Sequence, residues 1–493
     1  MKSLARARAI MLLCLASSLC PASGQIVPAA APARQLFPHA VPTAFDSAER
    51  FSVKIDGVNV PVFHAGLNVF FASFDFTGPA NVRVTAAEVN HSLHDLWRAG
   101  SLPDEPPTTK DFWKGRASVR PASGGVEAKT DHNVVTFTLA KPGQYSLEPA
   151  GLTRFADEVL LLFANAPDAA PPTEADSSIV RLKPGIHQRD IDLKTGQTLY
   201  LDPGAVLYGA INVWDAHDVT IAGRGVVVFD HPMSKDADNG PPNRPNQHPL
   251  TTHNVNNLTI RGVTFVNLRR TWSLQLHTTT GLLADNIKVL SLNPSNANGD
   301  GIDWLDGGDA TVRNSFIRAA DDCFAFFAAA SVNADGWAQP ARGASIPGAV
   351  KNISVERCVL WSTYANILRV GWVRQALSTD HVTLRDCDVL HISHHPAPQV
   401  KLWSLITITP TGTAERSRHA NYLFDDLRFE ESFGLVDFQS KTADLQNFTF
   451  RNITMSGAAR PLYRGGMTFG SADHIVFDHV LLNGKNVTDL NNL

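Results

Sequence analysis

The sequence has no excess charge of either sign and no long apolar run after its first residues. Its 43 Lys and Arg residues nearly balance 47 Asp and Glu residues, for a net charge of −4 at pH 7. A nucleic-acid-binding chain would carry a basic patch, so we expect no nucleic-acid partner. Charged residues make up 18% of the chain, below the ~25% of an average globular protein, while hydrophobic residues make up 44%. This composition indicates a folded, globular, β-rich chain.

Cysteine is also scarce, with five in 493 residues. Only Cys323, Cys358 and Cys387 lie beyond the N-terminal segment, and three cysteines cannot form a disulfide framework. We therefore expect buried free thiols in the core.

The N-terminal segment has the features of a secretory signal peptide. A basic start with Lys2 and Arg6 precedes an apolar run over 9–19, and the small residues Ala22-Ser23-Gly24 suit a cleavage site. The apolar run is shorter than the ~20 residues that span a bilayer. We predict that residues 1–24 are removed, that the mature chain is secreted or periplasmic, and that it has no membrane partner afterwards.

The next part of the chain alternates apolar and polar residues over short segments separated by tight turns. Phe51–Ile55 and Val58–Val62 flank Asp56-Gly57, a typical hairpin signal. Short strands of this kind predict a β-sandwich accessory domain over 49–166. We expect a linker over 25–48 and a second, Pro/Ala-rich linker over 167–178.

Residues 179–493 contain a recurring pattern of apolar alternation, a polar pair and further alternation. Clear copies are Leu258–Phe265 and Val382–Val389. The first polar residue of the pair recurs at steps of 24 to 43 residues, at Arg261, Asp285, Arg313, Glu356, Arg385, Asp425, Arg451 and Asp478.

A unit of two or three short strands cannot bury its own apolar face, so the units must stack on one another. Propeller repeats need a longer period with four strands per blade, and leucine-rich repeats need their leucine ladder. The pattern therefore predicts a parallel β-helix, and an all-β fold for the chain.

Three acidic residues fall within one repeat length, namely Asp300, Asp321 and Asp322. Neighbouring rungs of a β-helix lie about 4.8 Å apart, so these residues can meet as a cluster. Glycoside hydrolysis needs one protonated and one ionised carboxyl group side by side. The alternative is that they are turn residues that cap backbone amides, as Asp-Gly and Asn-Gly often do.

The sequence Asn298-Gly-Asp300-Gly-Ile-Asp303, followed by Asp321-Asp322-Cys323, resembles the Asn-Thr-Asp-Gly and Asp-Asp-Cys motifs of glycoside hydrolase family 28, the polygalacturonases. The strand over 271–277 is similar to that family's Trp-x-Ile-His strand. The resemblance implies a right-handed, pectin-lyase-like β-helix and an inverting mechanism. It implies Asp321 as general acid, with Asp300 and Asp322 holding the attacking water.

Two motifs depart from family 28. Its Gly-His-Gly motif falls at Ala365-Asn366-Ile367, so that Asn366 replaces the histidine, and its Arg-Ile-Lys motif has no counterpart. An anionic sugar needs a cationic partner, so these departures favour a neutral substrate. The sandwich before the helix, and Leu368–Trp372, resemble family 49, which includes dextranases and isopullulanase. This resemblance implies a neutral α-glucan of the dextran or pullulan type, with a pectin-type substrate as the alternative.

Further residues near these motifs are candidates for substrate binding. The candidates are Asn298, Asp303, His277, Asn366, Arg369 and Trp372. For Arg369 an ion pair with an acid is equally expected, and for His277 a buried structural role is the alternative. We expect no metal site and no cofactor.

The sequence thus predicts a monomeric secreted inverting glycoside hydrolase that acts on a polysaccharide or oligosaccharide. Two other classes fit the fold. A polysaccharide lyase would use the acids to bind calcium beside a uronate. A non-catalytic glycan-binding adhesin would not need Asp300, Asp321 or Asp322.

Overall fold

The computed structural model describes residues 35–87, 112–113, 115–150, 158–168, 171, 177–230, 248–292, 298–328, 348–371, 377–392, 403–409, 416–432, 434–456 and 463–493. The predicted signal peptide lies outside these residues. The described part is all-β, with two short 3₁₀ turns at Thr43–Phe45 and Ala122–Gly124. None of its helices is long and apolar enough to cross a membrane.

The N-terminal part is a sandwich of two mainly antiparallel sheets, as predicted. Its alternating strands turn one side inward, as in the buried–exposed pattern of Phe51, Val53 and Ile55. One sheet contains β1 Leu36–Pro38, β4 Val62–Gly66, β5 Val69–Phe76, β7 Ala117–Arg120, β10 Gly143–Pro149 and β11 Val159–Asn165. The other contains β2 Phe51–Ile55, β3 Val58–Val60, β6 Ala80–Ala86, β8 Lys129–Asp131 and β9 Val134–Leu139.

Part of the segment predicted as a linker over 25–48 is a strand. β1 pairs antiparallel with β5, with Leu36 opposite Phe76. The alternation of a three-residue edge strand is too short to be recognised in the sequence, so only its partner strand identifies it.

The remaining strands form a right-handed parallel β-helix. The described residues contribute 25 strands to it. They are β12 Ile179–Leu182, β13 Gly185–Gln188, β14 Ile191–Leu193, β15 Thr198–Leu201, β16 Ala205–Tyr208, β17 Ile211–Gly223, β18 Val226–Phe229, β19 Leu250–Arg261, β20 Thr264–Asn267, β21 Leu274–Asp285, β22 Lys288–Ser291, β23 Ile302–Arg313, β24 Phe316–Ala319, β25 Phe324–Phe327, β26 Gly348–Glu356, β27 Val359–Ser362, β28 Leu368–Val370, β29 Leu377–Ile392, β30 Ile406–Ile408, β31 Ser417–Glu431, β32 Val436–Gln439, β33 Ala443–Met455, β34 Arg464–Thr468, β35 Ser471–Leu482 and β36 Lys485–Val487.

Each coil crosses three parallel sheets in a fixed order. Sheet I takes β14, the first parts of β17, β19, β21 and β23, and then β25, β28, β30, β32 and β34. Sheet II takes the second parts of those long strands and continues through β26 into β29, β31, β33 and β35. Sheet III includes β16, β18, β20, β22, β24, β27 and the ends of β29 and β31. The turn from sheet III back to sheet I carries the predicted acids.

The polar pair of the repeat forms two columns at the end of sheet II. The first column contains the equivalent residues of the repeat, from Arg261 to Asp478. They are all in register, and their charges alternate from coil to coil. Arg313 donates to Asp285 at 2.9 Å and Arg385 to Glu356 at 3.1 Å. The second column turns the chain with positive φ, for example 56° at Asn286 and 52° at Asn314. Asn and Asp tolerate this conformation, which explains the composition of the pair.

The interior of the β-helix is filled by stacked apolar side chains. Tyr422 and Phe448 stack at 4.4 Å, and Phe424, Phe450 and Phe477 continue a second stack at 5.0 and 4.9 Å. Cys323, Cys358 and Cys387 are buried and free, as predicted.

The sandwich packs on the outer face of sheet III. Phe63, Phe71 and Phe163 form one apolar cluster with Val228 and Phe316. Beside it, His391 lies between Glu148, 3.0 Å from Nε2, and Glu431, 3.3 Å from Nδ1, while Arg120 pairs with both glutamates. The sandwich therefore covers the outer face of sheet III.

This ion network makes stability depend on pH through His391. Burial opposes protonation, but Glu148 and Glu431 raise the pKa of His391 above 6.5. Its stabilising contribution is therefore complete below pH ~6.5 and is lost as pH rises through the higher folded-state pKa. We expect the free energy of unfolding lost in His391→Asn to be largest below pH ~6.5 and to shrink at higher pH.

Urea unfolding at a series of pH values measures this difference. His132→Asn is the control, because the His132 side chain is 91% exposed. A difference between wild type and His391→Asn that stays constant with pH would contradict the assignment.

Candidate active site

The acidic motifs lie on adjacent coils at the turn between sheets III and I. Gly301 N donates to Asp322 O at 2.9 Å, and Ile302 N donates to Cys323 O at 3.0 Å. A Cβ on Gly299 would lie 2.6 Å from the Ala320 side chain, and one on Gly301 2.5 Å from the Cys323 carbonyl oxygen. The two glycines of the Asn-Gly-Asp-Gly motif therefore allow the coils to approach. Asp300, Asp303, Asp321 and Asp322 form the carboxylate cluster.

Asp300 and Asp303 are a coupled buried pair. Asp300 is 4% exposed and Asp303 is fully buried. Burial raises the pKa of both well above the ordinary aspartate value, and the charges of Asp321 and Asp322 raise both further. Among the described residues no donor satisfies either oxygen of Asp303, and its carboxyl interacts with that of Asp300. A proton shared within this pair is the arrangement with the lowest electrostatic cost.

Asp322 is held in place by two residues of the following coil. The backbone and side-chain nitrogens of Asn366 donate to its Oδ1 at 2.9 and 2.7 Å, and Arg369 Nε donates to its Oδ2. Asn366 is itself fixed, because its Oδ1 accepts hydrogen bonds from Ser404 N at 3.0 Å and Thr407 Oγ1 at 2.6 Å.

The guanidinium of Arg369 is the compensating charge of the cluster. Burial disfavours its charged form, but Asp322, Asp321 and Asp300 outweigh burial and raise the pKa of Arg369. In turn Arg369 partly offsets the rise in the pKa of Asp300. Of the two readings that the sequence left open for Arg369, the structure therefore shows the ion pair with an acid.

Asp321 is the carboxylate of the cluster that is half-buried and not fully enclosed. Its Oδ2 accepts a hydrogen bond from Asn298 N at 2.9 Å, and its carbonyl oxygen accepts one from Ser362 Oγ at 2.8 Å. Asp321 and Asp322 lie in the bend between β24 and β25, so their side chains do not follow the strict alternation of a strand.

His277 and Trp372 are two further residues that the sequence predicts for substrate binding. His277 is 1% exposed on sheet I, its ring centroid 6.0 Å from that of His253. Burial, with the charges of His253 and His248, lowers the pKa of His277 to about 3, so its ring is neutral. Trp372 lies outside the described residues.

Sequence reasoning missed the residues that support Asn366. Ser404 and Thr407 carry no motif, yet they orient the side chain that holds Asp322. The strand register, once known, identifies Thr407 as a neighbour of the site. It places Thr407 in one column of sheet I with Arg369, Ala325 and Asp303.

Residues 198–395 match the family model described as "Glycosyl hydrolases family 28", a range that includes the whole carboxylate cluster. The match confirms the resemblance seen in the motifs and supports a glycoside hydrolase of the β-helix type. No curated protein matches the sequence.

A solved structure shares the architecture of this chain. "Dex49A from Penicillium minioluteum" is 13% identical, with 92% of this chain and 91% of that chain covered and a TM-score of 0.58. This likeness shows that the sandwich and β-helix occur together in another protein. A polygalacturonase from Erwinia carotovora ssp. carotovora is 16% identical, with 58% of this chain and 89% of that chain covered and a TM-score of 0.37. The catalytic unit of a GH87 alpha-1,3-glucanase from Streptomyces thermodiastaticus is 12% identical, with 93% and 89% covered and a TM-score of 0.40.

Removal of the compensating charge should destabilise the fold. In Arg369→Gln the Asp322 carboxylate, 2% exposed, loses its charge partner, and we expect a loss of about 3–5 kcal/mol in the free energy of unfolding. Urea denaturation measures the loss. Arg418→Gln is the control, since Arg418 is 54% exposed and its loss should cost at most about 1 kcal/mol. Equal costs for the two variants would show that the Arg369–Asp322 pair is not a buried ion pair.

Proposed function

We propose that the chain is an inverting glycoside hydrolase that cleaves neutral α-glucan of the dextran or pullulan type. The observation that carries the proposal is the carboxylate cluster on adjacent coils, in which Asp321 is partly exposed and the other three aspartates are buried. A carboxyl group that a substrate can reach, beside buried carboxyl groups such as Asp300 whose pKa is raised, suits acid–base hydrolysis of a glycosidic bond.

In this mechanism Asp321 is the general acid. Its carboxyl proton passes to the glycosidic oxygen as the bond from that oxygen to the anomeric carbon breaks. A water molecule held by Asp300 and Asp322 attacks the opposite face of the anomeric carbon and gives its proton to one of these carboxylates. The products are two sugars with free hydroxyl groups, and the configuration at the anomeric carbon is inverted.

The surroundings of the two water-binding carboxylates support this division of roles. Asn366 and Arg369 fix both oxygens of Asp322, so it can orient water without moving. Burial raises the pKa of Asp300, so an ionised Asp300, with the shared proton on Asp303, would accept a proton readily.

The ion pair of Arg369 favours a neutral substrate. A uronate would need a cation for its carboxylate, and Arg369, a cation of the described residues at the cluster, is already bound to Asp322. A pectin-type substrate is the second candidate, because the matched family model covers the cluster.

The proposed function also implies a cellular location, an oligomeric state and a role for each domain. We propose that residues 1–24 direct the chain to a secreted or periplasmic location, and that the mature protein acts as a monomer. We also propose that 49–166 is an accessory domain and 179–493 the catalytic domain.

Replacement of the general acid should slow hydrolysis strongly. We expect Asp321→Asn to lower kcat by about 10²–10⁴-fold, measured as reducing-sugar release from dextran, pullulan, polygalacturonate and rhamnogalacturonan. Asp309→Asn is the matched control, an exposed aspartate of β23 at a turn with φ 49°, and it should retain full activity. Activity that survives in Asp321→Asn would overturn the assignment of the acid.

The same assay separates the other enzyme class and the binding protein. Release that needs calcium and yields unsaturated products would show a lyase. Binding of a glycan without release, unaffected in Asp300→Asn and Asp322→Asn, would show an adhesin.

The stereochemical outcome tests the inverting mechanism directly. Proton NMR of the first products from an α-linked glucan should show the β-anomer before mutarotation, because water attacks from the opposite face. An initial α-anomer would show retention and would make one aspartate a nucleophile.

A further inference from the structure

The outer face of sheet I continues from the carboxylate cluster toward the N-terminal coils. Asp303 is in register with Gln275, Thr251 and Asn212 on the three preceding coils. Their neighbours Ile211, Val213 and Leu250 face the core. Residues two positions apart on a strand share a face, so Trp214 and His253 lie on the same outer face as Asp303.

Aromatic rings follow one column of this face. Trp214 is in register with His253, and His253 with His277. The ring centroids lie 4.9 Å apart between Trp214 and His253, and 6.0 Å apart between His253 and His277. His277 is buried, whereas Trp214 and His253 are partly exposed, so the column opens to solvent at its N-terminal end.

This part of the face has neutral polar and aromatic side chains, and two carboxylates border it: Asn212 Nδ2 donates to Asp192 Oδ1 at 2.9 Å, and Asp215 Oδ1 lies 4.0 Å from His253 Nδ1. It consists of Asn212, Trp214, Thr251, His253, Gln275 and His277. Burial lowers the pKa of both His253 and His277, so both rings are neutral at neutral pH. Trp214 Nε1, Thr251 Oγ1 and His253 Nδ1 are buried atoms with no hydrogen-bond partner within the described part of the chain, so a ligand would meet the partly exposed rings of Trp214 and His253 and not these atoms. Aromatic ring faces suit stacking on a hydroxyl-rich, uncharged sugar ring.

We infer that Trp214 and His253 form a distal platform for the glycan chain and set a preference for long substrates over short ones. Coils stack about 4.8 Å apart, a distance close to the length of one hexose residue. Trp214, three coils from Asp303, is therefore out of reach of a disaccharide cleaved at the cluster. The inference rests on the proposed function and extends it to substrate length.

The test compares substrates of different length on the wild type and Trp214→Ala. The probes are dextran, isomaltohexaose and isomaltose, or the corresponding polymer, hexasaccharide and disaccharide if another glycan is hydrolysed. For the polymer and hexasaccharide we expect KM to rise about tenfold, the loss of one aromatic stacking contact, with kcat unchanged. KM for the disaccharide should not change, and Trp214→Phe should restore most of the affinity.

Tyr208→Ala is the matched control. Tyr208 is a half-buried aromatic residue just before β17 on the same coil, but it lies on sheet III and donates to Asp230 at 2.9 Å. It should leave the length preference intact. An equal effect of Trp214→Ala on all lengths, or no effect on the polymer, would overturn the inference.

Binding distinguishes failure of this inference from failure of the proposed function. Calorimetric titration of isomaltohexaose into Asp321→Asn, with and without Trp214→Ala, needs no turnover. Binding that weakens with Trp214→Ala supports the platform even if the wild type cleaves nothing. Binding that is unchanged overturns the platform alone, and no binding of any probed glycan together with no hydrolysis overturns both.

Discussion

The backbone hydrogen bonding of one coil to the next is the constraint on which the other features depend. This hydrogen bonding continues through the turn from sheet III to sheet I. There Ser273 N donates to Asp300 O, Gly301 N to Asp322 O, and Cys323 N to Asn366 O. Because each bond joins equivalent positions, side chains far apart in sequence form columns with a fixed spacing. The alternating charges from Arg261 to Asp478 are one such column, and the opposite charges that face each other on adjacent coils favour this register.

The same stacking makes a cluster of buried carboxylates possible and sets its cost. Four aspartates on two coils would repel one another strongly if all were ionised in a buried site. The structure reduces this cost with a guanidinium on the next coil, bound to Asp322, and with raised pKa values that let Asp300 and Asp303 share a proton. The same burial that makes the cluster costly therefore also raises the pKa of Asp300 and Asp303, which acid–base chemistry can use.

The sandwich covers one of the three sheets of the β-helix. Aromatic side chains of the sandwich cover sheet III, and the network of His391, Glu148 and Arg120 lies at the edge of that contact. The turn that carries the acids begins where sheet III ends, so the sheet that the sandwich covers supports the site. Along the outer face of sheet I the polar, uncharged residues from Asn212 to His277 lie on one side of the cluster.

The sequence by itself determined the repeat, the parallel β-helix and the acidic motifs, because alternation along a strand and an αL turn after each polar pair are local properties. It also identified the eight equivalent positions of the charge column. Only the tertiary structure decided that Asn366 and Arg369 hold Asp322, that Ser404 and Thr407 hold Asn366, and that His277 joins His253 in an aromatic column. These contacts join residues on different coils, and insertions of variable length between coils hide from the sequence which side chains meet.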